Sequence, residues 1–227
     1  MFSSIQLALF LSFTIKTCIG YGPAQQHYRL SENVTRVPVI LGVMSRCPDA
    51  LLCESVLDTT FKKTWPLISL DLSFIAKKDS SDATYGVTCM HGVEECAGNV
   101  QELCAIHLTQ NQKQWWSFVQ CLNYEGRWNV GNIDLAEKCA GVAEIPWEDE
   151  GEESGMKTCI ESDVGKNLLV SSLTQTQKLG ITKSCSIMIS GKIRCIHDGI
   201  WVNCETGHTS EEFETFIRQE YDRLNPE

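Results

Sequence analysis

Val37-Pro38-Val39-Ile40-Leu41-Gly42-Val43-Met44-Ser45-Arg46-Cys47-Pro48-Asp49 is the stretch on which the fold turns. Its first seven residues form a continuous apolar run with β-branched side chains, which predicts a strand buried on both faces. From Asp49 to about Trp65 the pattern changes to that of a helix, with Leu52, Val56 and Phe61 roughly on one side. Pro48 suits the first helical turn, where no backbone donor is needed. Cys47 therefore stands between a buried strand and a helix start. Free backbone N–H groups and the positive end of the helix dipole then favour its thiolate, and Arg46 adds a positive charge next door. The thiolate is the nucleophile of disulfide exchange, so a reactive cysteine is expected at this position.

Reading outward, Leu67 to Ile75 predicts a second strand, and strand–helix–strand order implies a parallel pair with a right-handed crossover. From Val87 to Cys159 the rhythm breaks into amphipathic helical patches with six cysteines. Gly165 to Leu179 is helical again, followed by a strand at Cys185–Ile189, a Ser-Gly turn and a strand at Ile193–Ile196. Thr209-Ser210-Glu211-Glu212-Phe213 opens a final helix, with hydroxyl caps and carboxylates in the first turn. The order βαβ, insertion, αββα predicts an α/β chain with a thioredoxin-like fold and an inserted, disulfide-rich helical subdomain. The expected division is a signal peptide at 1–20, an N-terminal extension at 21–36 and the thioredoxin-like domain at 37–227, with the insertion at about 87–160.

The insertion opens with Cys89-Met90-His91-Gly92-Val93-Glu94-Glu95-Cys96-Ala97-Gly98-Asn99-Val100-Gln101-Glu102-Leu103-Cys104. This reads C-x-H-G-x-x-E-C-x-x-N-x-x-E-x-C and resembles the signature of the gamma-interferon-inducible lysosomal thiol reductase family. The resemblance extends to Cys47-Pro48, where the family has its redox cysteine followed by proline. Downstream, Cys121, Cys139 and Cys159 fall in the family's cysteine order, and Ser184 to Lys192 looks like its third thioredoxin strand and turn. It implies a secretory-pathway enzyme that reduces disulfides.

The second redox cysteine of the family's C-P-x-C is Ala50 here, and the next cysteine is Cys53. Six residues along an ideal helix advance about 9 Å, beyond the roughly 7 Å that a disulfide spans. Cys53 is thus not expected to pair simply with Cys47. Cys185 falls where thioredoxin folds carry a proline facing the active-site cysteine. Three readings stay open: a Cys47–Cys185 disulfide, a thiolate metal site, or Cys185 paired elsewhere with Cys47 working alone. Cys47, Cys53 and Cys185 are the candidate catalytic residues. His91 beside Cys89 and Cys96 invites a zinc reading, but disulfides with a structural histidine fit an oxidising compartment better. Glu95, Asn99 and Glu102 share one helix face, either a polar site facing the cleft or, as preferred here, a solvated face. His107, His197 and His208 have no partner pattern and are expected at the surface, whereas Trp115, Trp116 and Trp201 are expected in the core.

Twelve cysteines in 227 residues is a density of oxidising compartments. Ile5 to Ile15 is an apolar run of signal-peptide length ending at Cys18-Ile19-Gly20, too short for a bilayer. Cleavage there removes Cys18 and leaves an odd number of cysteines, hence at least one unpaired thiol. Asn33-Val34-Thr35 is the glycosylation sequon. A formal charge of −10 argues against nucleic-acid and anionic-membrane partners. The acidic run Glu148-Asp149-Glu150-Gly151-Glu152-Glu153 reads as a solvated loop.

Cys195 and Cys204 are expected to bond across a hairpin. A turn centred on Gly199-Ile200 places them opposite each other, and one on Asp198-Gly199 leaves them diagonal. The bond is expected to select the first register. Together these readings predict a secreted or lysosomal monomer that exchanges disulfides on protein substrates with a small thiol donor. No bound cofactor and no metal are expected. The rival is a non-catalytic, disulfide-stapled scaffold that has lost its second redox cysteine.

Overall fold

The computed structural model describes residues 34–151 and 154–226. The stretch expected to be a signal peptide, Cys18, most of the expected extension, the sequon asparagine Asn33, and Glu152 and Glu153 lie outside the described residues.

The apolar run forms β1 (Val37–Val43), and after the Met44–Cys47 turn the chain enters α1 (Pro48–Thr64). A short 3-10 turn leads into β2 (Ile68–Phe74), paired parallel with β1 from Val37↔Ile68 to Val43↔Phe74. Two short strands follow, β3 (Lys77–Lys78) and β4 (Val87–Thr88), paired with each other. Four helices occupy the disulfide-rich segment: α2 (Val93–Leu108), α3 (Gln112–Tyr124), α4 (Ile133–Val142) and α5 (Met156–Glu161). Then come α6 (Asp163–Lys178), β5 (Ser186–Ile189), β6 (Lys192–Asp198), β7 (Ile200–Val202) and α7 (Ser210–Leu224). The main sheet has the order β2-β1-β5-β6-β7, antiparallel from β1 onward.

Local chemistry explains several boundaries. Thr209 and Glu212 form a reciprocal capping box at α7, as the hydroxyl–carboxylate pattern predicted. Helix α6 is bound to β2 by buried hydroxyls: Phe74 N–H donates to Ser172 Oγ at 2.9 Å, and Thr176 Oγ1 donates to the Phe74 carbonyl at 2.7 Å. The expected burial of β1 on both faces holds only at its end: Val37, Val39, Leu41 and Val43 are buried on one face, while on the other Pro38 is exposed, Ile40 is half-buried and only Gly42 is covered, by Ile181.

Five disulfides join described residues: Cys53–Cys185, Cys89–Cys96, Cys104–Cys159, Cys121–Cys139 and Cys195–Cys204. Three of them hold the α2–α5 region, where the long Cys104–Cys159 link ties α2 to α5. The hairpin takes neither predicted register. Asp198 faces Ile200 across Gly199 (φ 74), a pattern that sets Cys195 opposite Asn203. Asn203 then takes a left-handed conformation (φ 55), which asparagine tolerates better than most residues, and swings Cys204 to a Cα separation of 4.1 Å from Cys195. The covalent link is made by a local backbone adjustment rather than by the choice of turn.

Candidate active site

Cys47 is the N-cap of α1, with extended backbone angles, and its sulfur makes no cap hydrogen bond to the first helical N–H groups. Its own N–H donates to the Met44 carbonyl at 2.9 Å, closing the turn. It is the one free cysteine among the described residues and is buried, 4% exposed.

The turn is held from the side by the signature helix. Ser45 N–H donates to Asn99 Oδ1 at 3.0 Å, and Ser45 Oγ donates to the Glu95 carbonyl at 3.1 Å. Gly98 packs so tightly on Ser45 and Val130 that a Cβ there would overlap both. Arg46 turns away from the sulfur: Nε donates to the Val130 carbonyl at 2.8 Å, the guanidinium also reaches the Trp128 carbonyl at 2.9 Å, and Glu94 lies 3.5 Å away. Arg46 is thus a strut between the turn and the insertion, not the neighbouring charge predicted for Cys47.

The other signature residues have local duties. Cys89 and Cys96 are bonded, and His91 pairs through Nδ1 with the Glu95 carboxylate, so the zinc reading finds no geometry here. Among the described residues no group of three or more His, Cys, Asp or Glu side chains is placed to hold a metal. Gly92 precedes α2 with φ 95, a conformation that glycine adopts without strain. The face read as solvated is buried: Glu95 and Asn99 are fully inaccessible and Glu102 nearly so. Helical spacing identified the shared face but carried no information on what would cover it.

That cover includes Glu54 of α1, whose Oε2 accepts from Asn123 Nδ2 at 2.6 Å. Burial pushes the Glu54 carboxyl up to about 7, with the Asn123 hydrogen bond opposing. Glu102 is raised well above the usual carboxylate range, first by burial and then by the charges of Glu54 and Glu95. One Glu102 oxygen, Oε2, has no hydrogen-bond partner.

Of the candidate cysteines, Cys53 and Cys185 are bonded to each other, with a Cα separation of 6.4 Å. Both are fully buried, and the Ser184–Cys185 peptide is cis. Cys47 Sγ lies 3.9 Å from the Ser184 carbonyl, so the free thiol abuts the segment carrying this disulfide. Of the three readings of Cys185, the geometry takes the one in which it pairs elsewhere. The regular α1 directs Cys53 away from Cys47 and toward the β5 start.

His197 is the residue the sequence reading misplaced. It is buried on β6, 8% exposed, and exchanges backbone hydrogen bonds with Cys185 at 2.9 and 3.0 Å. Its Nδ1 lies 2.6 Å from Asp49 Oδ1, which also accepts from Gly199 N–H at 2.8 Å. Asp49 Oδ2 is in turn 3.9 Å from Cys47 Sγ. Asp49 and His197 are 148 residues apart in sequence, and only the strand order brings them together. His107 and His208 are exposed, as expected. Trp115 and Trp116 are buried, while Trp201 is half-buried, edge-on to His197 and stacked on His208.

Beside the turn, Met44, Ile75, Ala76 and Met90 contribute to a largely apolar groove of about 310 Å³. Met90 is 76% exposed.

Comparison with known proteins agrees with the resemblance read from the signature. The model of the gamma-interferon-inducible lysosomal thiol reductase family matches residues 38–143. The gamma-interferon-responsive lysosomal thiol protein of Arabidopsis thaliana is 30% identical over 94 residues, covering 41% of this chain and 34% of that protein. GILT-like protein 1 of Drosophila melanogaster is 28% identical over 163 residues, covering 65% and 62%. The chain thus spans about a third of the first relative and under two thirds of the second. Among solved structures, reduced DsbA1 from Neisseria meningitidis superposes with a TM-score of 0.50 at 13% identity, over 85% of this chain and 90% of that one. The fold is thioredoxin-like, with the disulfide-rich helical region inserted after the first βαβ unit.

Proposed function

We propose that this chain, whose residues 38–143 match the gamma-interferon-inducible lysosomal thiol reductase family, is a thiol–disulfide oxidoreductase acting through Cys47 alone. The observation that carries the reading is an unpaired cysteine at the strand-to-helix junction of a thioredoxin-like fold. A thiolate there stands at the N-terminus of α1, where the positive end of the helix dipole favours negative charge.

The reaction runs in two exchanges. Cys47 Sγ attacks one sulfur of a substrate disulfide, forming a mixed disulfide and releasing the other sulfur, which leaves as a thiolate and is protonated. A thiolate of a small donor then attacks the Cys47 sulfur of the mixed disulfide. This leaves the donor joined to Cys47 and frees the second substrate thiol. A second donor molecule restores Cys47 and leaves as donor disulfide. Two donor thiols are oxidised for each substrate disulfide reduced. With Ala50 in place of a resolving cysteine, the donor performs the step that a dithiol site performs internally. The apolar groove beside Met44 suits polypeptide segments exposed by incomplete folding, so protein disulfides are the proposed substrates. A secreted or lysosomal location is part of the proposal and rests on the cysteine density and the N-terminal apolar run.

A second reading, a stapled scaffold without turnover, is favoured by Ala50 and by the slight exposure of Cys47. Reduction of a model protein disulfide with excess small thiol separates the two. The oxidoreductase reading expects catalysis above the uncatalysed rate and its loss in Cys47→Ser. Activity unchanged in Cys47→Ser, or none in the parent protein, transfers the case to the scaffold.

A further inference from the structure

We infer that Asp49 is the proton acceptor of Cys47 and that His197 is the positioning residue that aims it. The inference deepens the monothiol reading above and rests on it for its catalytic consequence, but not for its effect on the thiol itself.

The geometry is directional. The two oxygens of Asp49 are divided between two tasks. Oδ1 is fixed by His197 Nδ1 at 2.6 Å and by Gly199 N–H at 2.8 Å. Oδ2 remains directed at Cys47 Sγ, 3.9 Å away. An ionised carboxylate only accepts hydrogen bonds, so the ring N–H of His197 is the donor to Oδ1. His197 is itself locked by its backbone pairing with Cys185 and by the edge-on Trp201 ring. Nothing in the folding of α1 needs this arrangement, because a first-turn aspartate is already satisfied by the helix dipole in water.

The charges facing the pair are few. On α1 there is Asp49 itself. On β6 there are His197 and Asp198, and Asp198 is neutralised by Lys183 from the segment before β5. His208 stands behind Trp201. Arg46 points to the insertion.

In the exchange, the Cys47 proton passes to Asp49 Oδ2 as the thiolate forms. The same proton returns to the substrate sulfur that leaves, so none is gained or lost over the step. His197 does not touch sulfur. Its ring N–H draws carboxylate charge toward Oδ1, and it holds Oδ2 in place.

The test is the pH profile of Cys47 alkylation by iodoacetamide, read by mass spectrometry on the intact disulfide-bonded protein. Asp49→Asn removes a negative charge beside the sulfur and should move the profile about one unit toward lower pH. In the same variant, reduction of a model disulfide should fall about a hundredfold, because the acceptor is gone. His197→Phe takes the donor from Oδ1, leaves more of the carboxylate charge on Oδ2, and should move the profile the other way. A merely structural pair would not produce shifts of opposite sign. Profiles unmoved in both variants, or moved the same way in both, overturn the inference. In the unsubstituted protein, the ¹⁵N shifts of the His197 ring should change when Cys47 is alkylated, and unchanged shifts count against it even if a variant fails to fold. A parent protein without reductase activity that still shows the opposed shifts would refute the monothiol reading and leave the Asp49–His197 assignment standing.

Discussion

At the scale of single residues, the site is defined as much by Ala50 as by Cys47. Ala50 is fully buried in the first turn of α1, three residues beyond the nucleophile, on the side where a resolving sulfur would stand. Cys53 cannot replace it, because the regular helix delivers Cys53 to Cys185 instead. Ala50→Cys should therefore raise turnover and lessen its dependence on donor concentration, since resolution becomes intramolecular. Steady-state reduction of a model disulfide across a donor series checks this. Turnover equal to or below that of the parent, in a protein that retains the five disulfides of the described residues, would show that resolution is not the slow step. The sulfur adds volume to a packed site, so a stability cost of about 1–3 kcal/mol is expected alongside.

At the scale of elements, the signature helix α2 is what the turn leans on. Ser45 N–H is buried and its partner is the Asn99 side chain. Asn99→Ala leaves that donor unpaired in a space closed by Gly98 and Val130, at a cost of about 1–3 kcal/mol. Denaturant unfolding should show the loss, and Cys47 should become more reactive to bulky alkylating reagents as the turn loosens. Wild-type stability in Asn99→Ala would mean that a water or a shifted turn satisfies Ser45. This also explains which parts of the site were legible. Strand β1, helix α1 and Cys47 between them are local facts, written in contiguous periodicity and in Pro48. The signature spacing gave the shared face of Glu95, Asn99 and Glu102, but not its burial, because the cover comes from α1, from α3 and from the turn itself. His197 was illegible for a stronger reason. Its partner is on another element, and a histidine in a strand carries no mark of what lies across the sheet. The hairpin register follows neither two-residue turn, because the chain turns about Gly199 and takes up the difference at Asn203.

At the scale of the whole molecule, the buried carboxyls make stability depend on pH. Glu54 and Glu102 lie where α1, α2 and α3 meet, and desolvation holds both in the protonated form beyond the usual carboxylate range. In the unfolded chain each would ionise near the ordinary glutamate value of 4.5. The folded state thus binds more protons between that value and the folded midpoint, which for Glu54 is about 7. A group whose folded pKa is raised contributes stability that is complete below the unfolded pKa and is lost as pH rises through the folded one. Each unit of the difference is worth about 1.4 kcal/mol. The protein should therefore be more stable at pH 5 than at pH 8, with a melting temperature higher by at least about 5 °C for a domain of this size. Other carboxylates do not reverse the sign in this window. Those with lowered midpoints, such as Glu212 and Glu214, act at more acid pH. Glu54→Gln keeps the shape and a neutral side chain that can still bond Asn123, so it should flatten the slope between pH 5 and 8 while leaving stability at pH 5 nearly unchanged. Calorimetry of parent and variant across that range decides the matter: an equal slope in both would place the pH dependence elsewhere, and a parent most stable at pH 8 would mean that these carboxyls are charged and compensated in the fold.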